Sequence, residues 1–221
     1  MDRLPHLDER EIEIVLGSVT LNGTLSLPQG ATGLVMFVHG SGSSRFSSRN
    51  RYVAHTIRTA NLATLLFDLL SPEEEMIDQI TAELRFDIGL LTKRVIGVTS
   101  WLHQDNDTKA LMVGYFGAST GAAAALAAAA ELDDIGAVVS RGGRPDLAEG
   151  VLPQVTAPTL LIVGGNDGPV IEMNRHAFLR LQSVKEMTIV PGASHLFEEP
   201  GTLEEVARLA TEWFRRYLAA A

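Results

Sequence analysis

Gly117-Ala118-Ser119-Thr120-Gly121 stands between an apolar run, residues 110–116, and an alanine-rich run, residues 122–130. The apolar run reads as a strand. The alanine run reads as a helix, because alanine has the highest helix propensity. A serine on the turn between them is lifted to the end of a sheet. So sharp a turn leaves little room around the backbone, which explains glycines two residues before and two after the serine. The helix that follows aims its N-terminal amides at the place where negative charge would develop if Ser119 attacked a carbonyl.

Working outward, the same alternation repeats. Residues 11–16 and 19–27 alternate apolar with polar or small side chains, and Asn22-Gly23 reads as a turn signal within them. They are expected to form antiparallel strands at the start of a sheet. Short apolar runs without alternation follow at 33–38, 63–67, 111–116, 137–139, 159–163 and 187–190, as expected of strands covered on both faces. Helical spacing appears at 50–59, 82–103, 121–132, 170–181 and 202–218. Residues 70–83 and 141–155 are left as loops. Strands alternating with helices predict a three-layer α/β/α sandwich around a mostly parallel sheet. No linker or repeat divides the chain, so residues 1–221 are expected to form a single domain.

In such a sheet the functional site lies beyond the carboxyl ends of the strands. The 33–38 strand ends in His39-Gly40-Ser41-Gly42-Ser43-Ser44, and the 111–116 strand ends in the serine turn. The 159–163 strand leads into Gly164-Gly165-Asn166-Asp167, and the 187–190 strand into Pro191-Gly192-Ala193-Ser194-His195. A serine hydroxyl is protonated at neutral pH and needs a base to attack. His195 is the expected base, and Asp167 would fix its tautomer and stabilise the imidazolium. Asp146 and Asp68 are the rival acids. The backbone amides of Ser41 and Thr120 are the expected oxyanion donors. His39 is expected to brace the Gly-rich loop rather than do chemistry. Arg45 and Arg141, with Gly42, are candidates for holding an anionic group on a substrate. The plainer alternative for Arg45, Arg51, Arg141 and Arg144 is pairing with Glu73, Glu74, Glu75 or Asp146.

Composition narrows the possibilities. The chain has 221 residues and a formal net charge of −9, which disfavours nucleic acid and anionic membranes as partners. It has no cysteine, so disulfides, thiolate metal sites and a cysteine nucleophile are excluded, and a reducing, cytoplasmic setting is expected. Residues 1–13 are charged and lack the apolar core of a signal peptide. No run approaches the roughly 18 apolar residues of a membrane span. Neither a phosphate-binding G-x-x-x-x-G-K-[ST] loop nor an H-E-x-x-H metal motif is present. Gly114, Gly117 and Gly121, with Arg141 after the next strand, superficially resemble an NADP-binding turn. That reading places the turn mid-chain and leaves Ser119, Asp167 and His195 unexplained. A non-catalytic binding protein leaves them unexplained too.

The His39–Gly42 loop, the Gly117–Gly121 turn, Asp167 and Ser194-His195 together resemble the α/β-hydrolase superfamily, and within it the dienelactone-hydrolase-like branch. The resemblance covers nearly the whole chain. It implies a Ser119–His195–Asp167 triad in the chain order of that fold, and no cofactor or metal. Typical dienelactone hydrolases carry cysteine at the turn; Ser119 in its place favours general ester chemistry. Only 15 residues separate Gly143 from Thr159, too few for an inserted cap. The expected activity is hydrolysis of a small carboxylic ester or lactone, with thioester hydrolysis or acyl transfer as variants on the same triad.

Overall fold

The computed structural model describes residues 9–218. His6 and most of the segment read as lacking a signal peptide lie outside the described residues. Eight strands form one sheet: β1 (Glu9–Leu16), β2 (Val19–Ser26), β3 (Gly33–Val38), β4 (Ala63–Phe67), β5 (Met112–Ala118), β6 (Ile135–Arg141), β7 (Thr159–Gly164) and β8 (Lys185–Val190). Their order is β1-β2-β4-β3-β5-β6-β7-β8. β2 pairs antiparallel with β1 and β4, and all pairs from β4 to β8 are parallel. This is the sandwich expected from the alternating pattern.

The described residues form six α-helices: α1 (Ser48–Thr59), α2 (Pro72–Thr81), α3 (Ile88–Gln104), α4 (Thr120–Glu131), α5 (Gly168–Arg180) and α6 (Thr202–Leu218). One core lies under α1 and α6, where Val53, Ile57, Trp213 and Phe214 meet Val35, Phe37, Phe116 and Val139. Phe37 and Phe116 sit side by side with ring centroids 4.9 Å apart. Burial of each such side chain contributes roughly 1.5–3 kcal/mol. The other core lies under α3, α4 and α5, where Leu91, Val95, Leu126 and Ala177 meet Leu34, Met36, Tyr115 and Val138. β5, the strand that carries the serine, is flanked by β3 and β6 and is buried from Val113 to Ala118.

Three expectations fail in detail. Asn22-Gly23 is not a turn: both residues pair with β1 inside β2, and the hairpin turns at Gly17, where φ is +63°. A side chain at position 23 would be crowded: its Cβ would lie only 3.1–3.3 Å from side-chain carbons of Leu65, Ile12 and Ile14. The helix expected over 82–103 does not begin at 82. Ala82, in the left-handed region at φ +56°, ends α2, and Asp87 caps α3 by accepting from the Leu90 amide. The loop expected over 70–83 contains α2. Its start was readable: Ser71 and Glu74 form a reciprocal capping box, and Pro72 occupies the first turn. Between β6 and β7 there is only a 3₁₀ stretch, Pro145–Gln154, and no cap.

Candidate active site

Ser119 sits where β5 turns into α4, at φ +51° and ψ −122°. A non-glycine residue held there costs about 1–3 kcal/mol, a strain that clusters at functional positions. The elbow glycines permit it. A Cβ on Gly121 would lie 2.2 Å from the Val38 carbonyl oxygen, and one on Gly117 would lie 2.5 Å from Cα of Ala122. The Ser119 amide donates to the Arg141 carbonyl (3.2 Å), and its own carbonyl accepts from the Arg144 amide (3.1 Å). The tip of the elbow is thereby pinned to the chain leaving β6. Ser119 remains half-buried.

Asp167 and His195 come from the ends of β7 and β8. The Asn166 amide donates to the Ala193 carbonyl (2.9 Å), and its side-chain amide donates to the Gly192 carbonyl (2.9 Å). These bonds hold the two loops together. His195 Nδ1 lies 2.6 Å from Asp167 Oδ2. With the carboxylate as acceptor, Nδ1 carries the proton and Nε2 is left free to act as a base. The Asp167 side chain is 13% exposed and the His195 side chain 38%. A shielded acid and an accessible base suit that division of labour. Glu199, absent from the sequence reading, accepts from the Ser194 amide (2.9 Å) and steadies the histidine loop. That bond holds its carboxyl below the usual carboxylate range.

His195 and Ser119 reach the same short segment from two directions. Ser119 is bonded to Arg141 and Arg144, while Gly142 lies between them under the imidazole, 3.5 Å from Cε1 and Nδ1 at its Cβ position. A hydroxyl–imidazole hydrogen bond is not among those formed by the described residues. Such bonds often tighten only when substrate is present. The rival acids are engaged elsewhere. Asp146 makes a bidentate pair with Arg144 at 2.9 and 2.8 Å, and Asp68 pairs with Arg45.

In the Gly-rich loop, His39 Nε2 accepts from the Leu69 amide (3.1 Å) and Nδ1 faces the Gly40 carbonyl (3.0 Å). Burial pushes its pKa down, so it stays neutral and braces the loop. Gly42 is exposed at φ +68° and shapes the loop. The Ser41 amide donates to Thr120 Oγ1 at 2.8 Å. The cavity beside this loop, about 260 Å³, is lined by His39, Phe46, Asp68, Leu70 and Glu75 and does not include Ser119, Asp167 or His195.

The arginines divide. Arg45 is bound to Asp68 and Glu11, and Arg51 lies 3.8 Å from Glu9. Arg141 is different. It is 8% exposed, its Nε and Nη1 are buried without a hydrogen-bond partner among the described residues, and its guanidinium lies 6.0 Å from the Phe197 ring centroid. Burial, and secondarily the charge of Arg49, push its pKa down to about 10. Among the described residues no group of three or more His, Cys, Asp or Glu side chains could hold a metal ion. No described helix is long and apolar enough to cross a membrane.

The dienelactone hydrolase family model matches residues 57–219, about three quarters of the chain. The chain belongs to the dienelactone hydrolase family. A solved dienelactone hydrolase from Anabaena variabilis is 60% identical, with a TM-score of 0.95 over 96% of this chain and 99% of that one. Est1E from Butyrivibrio proteoclasticus superposes with a TM-score of 0.78 at 16% identity, over 93% of this chain and 98% of that one. The Pyrococcus furiosus esterase Pf2001 gives 0.78 at 18%, over 99% and 98%. At that identity these two esterases share the family's architecture and no more. A curated relative from Mycobacterium tuberculosis, a putative phosphoribosyl transferase, is 56% identical over 97% of this chain. This chain spans about half (48%) of that relative's length.

Proposed function

We propose that this member of the dienelactone hydrolase family is a serine hydrolase acting on a small carboxylic ester or lactone. The observation that carries the reading is the 2.6 Å His195–Asp167 hydrogen bond, formed at the sheet edge where the strained turn presents Ser119. Ser119 Oγ attacks the carbonyl carbon as His195 Nε2 takes its proton. The tetrahedral oxyanion forms at the N-terminus of α4, where the Thr120 amide can meet it, and the Gly-rich loop is tied to the same residue through the Ser41 amide. His195 then gives the proton to the leaving alcohol, and an acyl-enzyme remains on Ser119. Water, deprotonated by the same imidazole, releases the acid. The chain's own residues supply each of these roles without a cofactor or metal. Thioester hydrolysis and acyl transfer to another alcohol use the same steps. A fluorophosphonate probe is expected to label Ser119 and to leave Ser119→Ala unlabelled. An unlabelled active protein would falsify the assignment.

A second reading concerns the substrate's charge and rests on Arg141. A guanidinium buried without a carboxylate is costly unless something anionic meets it. It occupies the last position of β6, directly before Gly142, where a Cβ would lie 3.5 Å from the His195 ring. Arg141→Met is expected to lower kcat/KM for esters bearing a carboxylate by about tenfold or more, an energy typical of one charged hydrogen bond. Neutral esters of the same size should change little. Equal losses on both would show that Arg141 only supports the fold. Arg45 is not expected to serve this role, since Asp68 and Glu11 already occupy it.

A further inference from the structure

The Gly40–Ser41 peptide is held at both ends. Its carbonyl accepts from His39 Nδ1 (3.0 Å) and from the Ser43 amide (3.2 Å), and its N–H donates to Thr120 Oγ1 (2.8 Å). No peptide bond in the described chain is cis, so the carbonyl and the N–H point opposite ways. Fixing one fixes the other. The Leu69 amide in turn requires His39 Nε2 as its acceptor, which leaves the proton on Nδ1. The Ser41 N–H is therefore aimed at Thr120, and its hydrogen is already committed.

The Thr120 hydroxyl receives that bond and keeps a proton of its own. No acceptor for that proton is found among the described residues. Its backbone amide is the first of α4 and lacks a carbonyl partner of the kind that binds later helical amides. One residue thus presents two donors beside Ser119: an amide and a hydroxyl. The hydroxyl is polarised by the amide behind it, which strengthens it as a donor. Thr120 is buried and β-branched, so rotating the hydroxyl away to release Ser41 is disfavoured. We infer that Thr120 Oγ1–H is the second oxyanion donor, and that the Ser41 amide acts through it rather than on the substrate directly. The inference rests on the serine-hydrolase reading. No atom is exchanged in this role: the hydroxyl hydrogen bonds the oxyanion as it forms and releases it when the carbonyl re-forms.

Thr120→Val removes the hydroxyl at nearly constant shape, and Thr120→Ser keeps it. With p-nitrophenyl acetate, Thr120→Val is expected to lower kcat about 10²–10³-fold with little change in KM, as for removal of one oxyanion donor. Binding of a trifluoromethyl ketone, which mimics the tetrahedral adduct on Ser119, should weaken by a similar factor, and Thr120→Ser should restore most of both. Melting temperatures of both variants check that the fold is kept. Unchanged or higher activity in Thr120→Val would overturn the inference, because freeing the Ser41 amide would then have helped. Loss of kcat without weaker ketone binding would also overturn it, since mere mispacking would explain that result. If the wild-type protein shows no Ser119-dependent turnover, the hydrolase reading itself falls, a result distinct from either.

Discussion

Ser119→Ala is expected to abolish ester hydrolysis while leaving the melting temperature where it was. In serine triads, removing the nucleophile costs on the order of 10⁶ in kcat, because the residual reaction has only binding and oxyanion stabilisation to draw on. The fold should tolerate the change. The strained φ of +51° is a property of the backbone and its Cβ, and alanine keeps both. The hydroxyl takes part in none of the hydrogen bonds that pin the elbow; those use the main-chain amide and carbonyl of Ser119. Purified wild-type and variant proteins compared by initial rate and by thermal melt decide the matter. Residual turnover within a few-fold of wild type would transfer the chemistry to another group and end the Ser119 assignment.

Asp167→Asn is expected to lose about 10⁴ in kcat with little change in KM. The carboxylate accepts from His195 Nδ1 at 2.6 Å, which leaves Nε2 unprotonated. An asparagine amide turned toward the ring donates instead of accepting. It then favours the tautomer whose proton is on Nε2, where it blocks proton abstraction from Ser119. Asp146→Asn and Asp68→Asn serve as controls. Each of those carboxylates is tied to an arginine, Arg144 and Arg45 respectively, and neither is hydrogen bonded to His195. Their variants should retain activity within about tenfold, the range of a modest local perturbation. A large loss confined to Asp146→Asn would reassign the acid.

The serine turn was legible because its constraints are local. A strand, a turn free of bulky neighbours and a helix lie within some twenty residues, and each has its own sequence signature. The meeting of Asp167 with His195 was legible because parallel topology puts every strand's carboxyl end at one edge, so order along the chain sufficed to nominate the pair. What the sequence hid depends on contacts across space. Asn22-Gly23 has the chemistry of a turn, but β4 packs against it and holds it in a strand. Arg45 and Arg141 look alike in sequence. Asp68, 23 residues from Arg45, neutralises the first, and among the described residues no carboxylate is paired with the second. The bond from the Ser41 amide to Thr120 joins residues 79 apart. Helix α2 is a different case, since Ser71-Pro72-Glu73-Glu74 carries the local signals of a helix start within a stretch that lacks apolar spacing.

β8 lies at the border of the sheet, bonded to β7 alone, and most of its residues are partly or fully open to water. Such borders fray at lower free energy than the interior of a fold. The imidazole is tethered five residues beyond that border, whereas Ser119 is anchored at its centre. Warming should therefore silence the enzyme before it denatures it: turnover would fade while ellipticity still reports an intact protein, and cooling would restore it. Coincident, irreversible loss of the two signals would show that β8 and the interior yield together.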